Sequence, residues 1–271
     1  MAQAPGHQSR SYQLFINGLN FLKKAGCEKM QIVGILGGMG PAAGADFARL
    51  FVAACTDYMR AKGLRVSDQG FPEHWLAQVP VPDRSTALNA PGAGNHQPLE
   101  SMLQAMGKLA DLGATTIAVA CNTAHAWHGA LQARFTQVEV LHVAREVATS
   151  LALSGVREVG LLATSGTYRT GLYDQALREA GVQCHAPTDV ECERLMQGIY
   201  QGVKVGNLAL ANATFASVAQ ALAQRHGLST LVLGCTEIPL ALSAVPGLPQ
   251  LELIDPALVL AKALALRAYN A

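Results

Sequence analysis

The chain has 271 residues and a formal charge of only +1; half of its residues are hydrophobic and 14% are charged. Such a composition can bury a core, which excludes general disorder. Without a basic excess it gives no footprint for nucleic acid. No apolar run reaches the roughly 18 residues of a membrane span, and the first residues hold no continuous apolar stretch followed by a small-residue cleavage site, so secretion is not expected. Six cysteines in that setting read as reduced thiols of a cytoplasmic protein rather than as a disulfide framework.

Residues 1–11 are polar, with Gly and Pro, and read as disordered. Residues 12–25 carry apolar side chains at helical spacing, interrupted by Gly18, and predict a short amphipathic helix. The patterned core starts at Met30, where a second start would fall, so residues 1–29 are expected to be an extension. From there short apolar runs alternate with longer helical patterns. Strands are expected at 31–37, 74–81, 115–120, 138–143, 156–164, 229–234 and 251–254. Helices are expected at 42–61, at 99–113 with Gly113 closing it, and just after Cys121. Others follow residue 143, span about 167–180, 190–203 and 207–225, and end the chain. Alternation of this kind predicts an α/β protein with parallel sheets covered by helices.

The same segments occur twice in the same order. IVGILGGMG (32–40) aligns with EVGLLATSG (158–166), TTIAVACNTAH (115–125) with STLVLGCTEIP (229–239), and QVEVLHVAREVA (137–148) with QLELIDPALVLA (250–261). The offsets of 126, 114 and 113 residues are nearly constant, which points to an internal duplication into two similar halves. The expected division is residues 30–140 plus 250–271 for the first half and 141–249 for the second.

The repeat places Cys121 over Cys235, each just after a strand, where sites form in open parallel sheets. A helix start there lowers a thiol's pKa and makes thiolate available. If the halves face each other, two thiols flank one cleft. One can take a proton from a carbon while the other returns a proton to the opposite face, which inverts the centre. The plain alternative is that both are buried filler, as cysteines often are; their repeat relation and the adjacent Thr123 and Thr236 weigh against it. Cys27, Cys55, Cys184 and Cys192 read as filler, and Cys184, His185 and Cys192 lack the paired spacing of a zinc site. The glycine-rich GILGGMGP (34–41) is not G-x-G-x-x-G, and Asp46 and Asp57 stand at the wrong distances for a dinucleotide ribose. Its backbone N–H groups still suit an anion such as a carboxylate. His125, Glu237, His142 and Asp255 lie near the strand ends, where each either orients a thiol or caps a helix. Thr164 and Ser165 either line the cleft or cap the next helix.

Taken together, GILGGMGP (34–41), VPDRS (81–85), ACNTAHA (120–126), LLATSGTY (161–168), GIYQGVKVGNL (198–208), LGCTEIPL (233–240) and LIDP (253–256) resemble the aspartate racemase branch of the aspartate/glutamate racemase superfamily. The resemblance covers residues 30–271. It implies two flavodoxin-like domains with the site in the cleft between them, a homodimer, and racemisation of small acidic amino acids with no pyridoxal phosphate, metal or other cofactor. Carried over by position, Cys121 and Cys235 are the acid/base thiols. Asn122 and Thr123, with Thr236, are expected to hold the substrate's α-carboxylate and ammonium region, and Ala124, Met39 and Gly40 are further expected substrate-binding positions. Arg84 and Lys204 match the positions associated with acidic substrates, and Ser85 stands where Thr is common. An Arg fork and a Lys point charge suit a dicarboxylate. Related isomerases and decarboxylases, broad-specificity racemases and a non-catalytic binder of acidic ligands remain as alternatives.

Overall fold

In the computed structural model of the chain, residues 30–89 and 97–270 are described; the helix expected at 12–25 and Cys27 lie outside them. The first half runs β1 (Val33–Gly37), α1 (Pro41–Ala61), β2 (His74–Gln78), α2 (Arg84–Asn89), α3 (Gln97–Asp111), β3 (Thr116–Val119), α4 (His128–Arg134) and β4 (Glu139–Val140). Helix α5 (Val143–Leu153) leads to β5 (Glu158–Ala163), α6 (Ser165–Arg169), α7 (Leu172–Glu179), β6 (Gln183–His185) and α8 (Asp189–Gln197). A π turn (Gly198–Gly202) and a 3₁₀ turn (Val203–Val205) precede α9 (Leu208–His226), β7 (Thr230–Gly234), α10 (Ile238–Ala241), β8 (Glu252–Ile254) and α11 (Pro256–Tyr269).

The strands form two four-stranded sheets, ordered β2-β1-β3-β4 and β6-β5-β7-β8, with every pairing parallel. The two orders are the same once each half is numbered from its own first strand, so the duplication read from the sequence is a duplication of topology. β1, β3 and β7 are buried along their whole length, which is why they read as continuous apolar runs instead of alternating ones.

Each half lends a helix to the other. Helix α5 leaves the first sheet and packs Ala144, Val147 and Leu151 against Val159, Leu161 and Val232 of the second. Helix α11 leaves the second sheet and packs Leu260, Ala261 and Leu264 against Val33, Ile35 and Phe47 of the first. The return crossing comes after Ile254, not at residue 250: β8 pairs with β7 in the second sheet, and only α11 goes back. Two other expectations change. The helix expected over 167–180 is split at Gly171, whose φ of 59° is left-handed and starts α7 afresh. The strand expected over 138–143 keeps only Glu139–Val140, because His142 already caps α5.

Candidate active site

The two cysteine loops share one backbone shape. Cys121 N–H donates to Val119 O and Cys235 N–H to Leu233 O, each at 2.8 Å, so the chain turns sharply off the strand at both thiols. Both cysteines line a single cavity between the halves, together with Met39, Asp83, Arg84, Ser85, Asn122, Thr123, Thr164, Ile199, Tyr200, Lys204, Thr236 and Glu237. The cavity leaves about 20 Å³ free, room for about one water and too little for an amino acid with the halves as they stand.

Four sets of contacts hold it shut. Tyr173 in α7 donates to Asn122 Oδ1 at 2.5 Å. Thr123 Oγ1 lies 2.8 Å from Thr164 Oγ1 and 3.1 Å from Thr167 Oγ1, which lie 3.0 Å from each other. Tyr200 donates to Asp83 Oδ2 at 2.7 Å, and Lys204 Nζ stands 3.6 Å from the same oxygen and 4.1 Å from the Tyr200 ring centre. Gly40 N–H donates to Glu237 Oε1 at 3.3 Å. Gly166 marks the closest approach: a Cβ there would meet Thr123 Cγ2 at 2.9 Å and Ser85 Oγ at 3.0 Å.

The electrostatics of the two thiols differ. Cys235 donates to Glu237 Oε2 at 2.9 Å; burial first, and then the Glu237 charge, push its thiol well above the ordinary value. Burial works against the charge of Arg84, but Cys121, Asp83 and Glu237 outweigh it and raise its pKa. Burial also raises Asp83; the Thr86 N–H, the Tyr200 hydroxyl and Lys204 overcome this and hold its carboxyl below the usual range.

A family model described as Asp/Glu/hydantoin racemase matches residues 36–264. The chain belongs to that family. It is similar over 88% of its length to the aspartate racemase of Picrophilus torridus, at 29% identity and a TM-score of 0.71 over 94% of that chain. An aspartate racemase homologue from Pyrococcus horikoshii OT3 matches at 26% identity and a TM-score of 0.66, over 88% of this chain and 99% of the other. A glutamate racemase of Aquifex pyrophilus is 29% identical over 62% of this chain and 63% of its own length. The chain spans between 48% and 63% of the curated glutamate racemases it matches.

Within this racemase-family fold, eight of the ten site residues expected from the sequence line the cavity. Ala124 and Gly40 do not. Ala124 is wholly buried in the first half's core, because the turn after Cys121 carries it inward. Gly40 instead offers its N–H to Glu237. The guanidinium of Arg84 is occupied in part: Nη1 donates to Val81 O and Pro82 O at 3.0 and 3.1 Å, and Nη2 to Met39 O at 2.7 Å. Its buried Nε has no hydrogen-bond partner among the described residues. Arg84 is thus fixed as a charge by three of its five N–H groups, with Nε–H and one Nη2–H left over.

His125 and His142 do not reach the thiols by hydrogen bonds. His125 Nδ1 lies 2.9 Å from Cys121 O and Nε2 3.3 Å from Leu141 O; carbonyls only accept, so whichever ring nitrogen carries the proton donates to backbone and braces the loop. His142 Nδ1 accepts from Arg145 N–H, and Asp255 Oδ1 accepts from Ala257 N–H, so this repeat-related pair caps α5 and α11. Thr164 lines the cavity and also caps α6. Asp83, Ile199 and Tyr200 were not singled out from the sequence, although Asp83 sits in VPDRS and the others in GIYQGVKVGNL.

Proposed function

We propose that the chain interconverts L- and D-aspartate by a two-base mechanism in which Cys121 and Cys235 face opposite sides of the substrate's Cα. The observation that supports this best is the meeting of both repeat-related cysteines in one closed cavity with Arg84 and Lys204. One thiolate removes the α-proton while the opposite thiol returns one, and the reverse reaction exchanges the roles. The carbanion forms beside the α-carboxylate without an electron sink. Preorganised charge and N–H donors in a dry cavity must therefore supply the stabilisation. Arg84 contributes a fixed cation with a free Nε–H. Asn122 keeps its amide N–H groups after Tyr173 has taken its oxygen. Lys204, now beside Asp83, is placed to turn to a side-chain carboxylate. The resemblance carries with it a homodimeric, cytoplasmic enzyme that needs no cofactor.

The test is incubation of the purified protein with L-aspartate in heavy water without added cofactor, followed by proton NMR and chiral chromatography. Loss of the α-proton signal together with D-aspartate is expected. No exchange and no D-aspartate would remove aspartate as substrate. The similarity to glutamate racemases makes L-glutamate the second compound in the same assay.

A further inference from the structure

Glu237 lies two residues after Cys235 and is 6% exposed. Its Oε2 accepts from the Cys235 thiol at 2.9 Å and from the Thr236 hydroxyl at 3.3 Å, while Oε1 accepts from Gly40 N–H of the other half at 3.3 Å. The repeat-equivalent residue, Thr123, has no charge and spends its hydroxyl on Thr164 and Thr167. The duplicated loops therefore differ at one decisive position. A thiol that donates to a carboxylate in a dry site resists losing its proton, because the product would be two adjacent anions.

We propose that Glu237 is a positioning residue that keeps Cys235 as the proton donor of the pair, so that the unliganded enzyme rests with Cys121 as the base. This rests on the two-cysteine racemase reading. The proton balance is simple. The substrate's α-proton goes to Cys121 Sγ, the Cys235 proton goes to Cα, and Glu237 gains none. After that turnover Cys121 is a thiol and Cys235 a thiolate beside Glu237, a state the carboxylate disfavours, so Glu237 favours the reset in which Cys121 gives a proton to water and Cys235 takes one from water. The other ionisable groups around Cys235 are Cys121 and Arg84 from the first half, Tyr173 from α7, and Asp83, Tyr200 and Lys204 along the cavity wall. Among the described residues the side-chain hydrogen bond of the Cys235 thiol goes to Glu237.

Ultraviolet thiolate absorbance titrated against pH, taken as the difference between the protein and its Cys235→Ser variant, isolates this thiol. In Glu237→Gln the curve is expected to move to lower pH by about one unit or more, which is about tenfold more Cys235 thiolate at a fixed pH below the midpoint. Glu237→Asp keeps the charge and should restore most of the wild-type curve, with circular dichroism as the folding control. A Glu237→Gln curve that superposes on wild type overturns the proposal. Should the Gln variant not fold, Glu237→Thr, which places the residue type of the equivalent loop beside Cys235, is titrated in the same way, and a Cys235 curve that superposes on wild type overturns the proposal. In kinetics, the alkaline limb of kcat/KM should move to lower pH in Glu237→Gln. The move must be the same for both enantiomers, since the equilibrium constant of a racemisation is one. If the wild-type protein racemises nothing, the functional reading falls while the thiolate titration still judges Glu237.

Discussion

The two cysteine loops have the same backbone turn and occupy equivalent places in equivalent sheets, yet their surroundings are opposed. Cys121 faces a buried guanidinium that three backbone carbonyls hold in place. Cys235 is bonded to a buried carboxylate. Duplication supplies two thiols at matching strand ends; side-chain divergence then gives one a cation and the other an anion. The site is pseudo-symmetric in geometry and asymmetric in charge, which is what the proposed pair of proton-transfer thiols in different resting states requires.

The largest effect expected is on the thiols themselves. Cys121→Ala and Cys235→Ala should each lower racemisation by about 10²- to 10⁴-fold or abolish it, with far-UV circular dichroism unchanged. Full activity in either variant would break the two-base comparison. Next is Lys204, the charge proposed to meet the substrate. Lys204→Ala should raise the KM for aspartate by about 10- to 100-fold, the value of a charge-assisted contact of about 1.5–3 kcal/mol, and do less to the KM for an uncharged amino acid. An equal change for both would remove Lys204 from substrate recognition. The repeat-related glycines sharpen the comparison structurally. Gly166→Ala drives a methyl into Thr123 and Ser85, whereas a Cβ at Gly40 meets only Glu237 Oε1 at 3.7 Å. Gly166→Ala should cost about 1–3 kcal/mol and impair closure, and Gly40→Ala should be milder in urea denaturation. Equal losses would show that the cleft is not tightest at Gly166.

Much of this architecture was legible because parallel strands covered on both faces leave unbroken apolar runs, as β1, β3 and β7 do. Strand β6 was missed since Gln183–His185 is a three-residue edge strand with little buried surface. Helix α2 escaped as a six-residue element without the length that makes periodicity visible. At the site, the thiols were found through the repeat, which is a property of the chain alone. The Asp83–Tyr200–Lys204 group and the Glu237–Gly40 bond depend on how two halves close on each other. No local pattern reports that. Arg84 was found by position, but its carbonyl partners, and hence its fixed fork, follow from the path of residues 39 and 81–82 around it.

The smallest effect separates the two helix caps that the repeat placed in register. Burial first, and then the charges of His125, His128 and Arg145, lower His142 to about 3. Burial likewise lowers His125 to about 4 and depresses His128. An unfolded histidine titrates near 6.5, so below that pH the unfolded chain binds protons the folded one refuses. The stability tied to these rings is complete above about 6.5 and is lost as the pH falls toward 3–4. Asp255 runs the other way: burial raises its carboxyl to about 6 from 3.8, so its contribution is greatest below 3.8 and is lost as the pH rises through about 6. Asparagine preserves a cap at either position and cannot titrate. His142→Asn should therefore lose less of its urea midpoint than wild type between about pH 7 and pH 5. Asp255→Asn should gain on wild type at about pH 7 and not at about pH 4. Curves parallel to wild type in both variants would mean that the two caps titrate as they do in the unfolded chain, and the opposition between the halves would then be confined to the thiols.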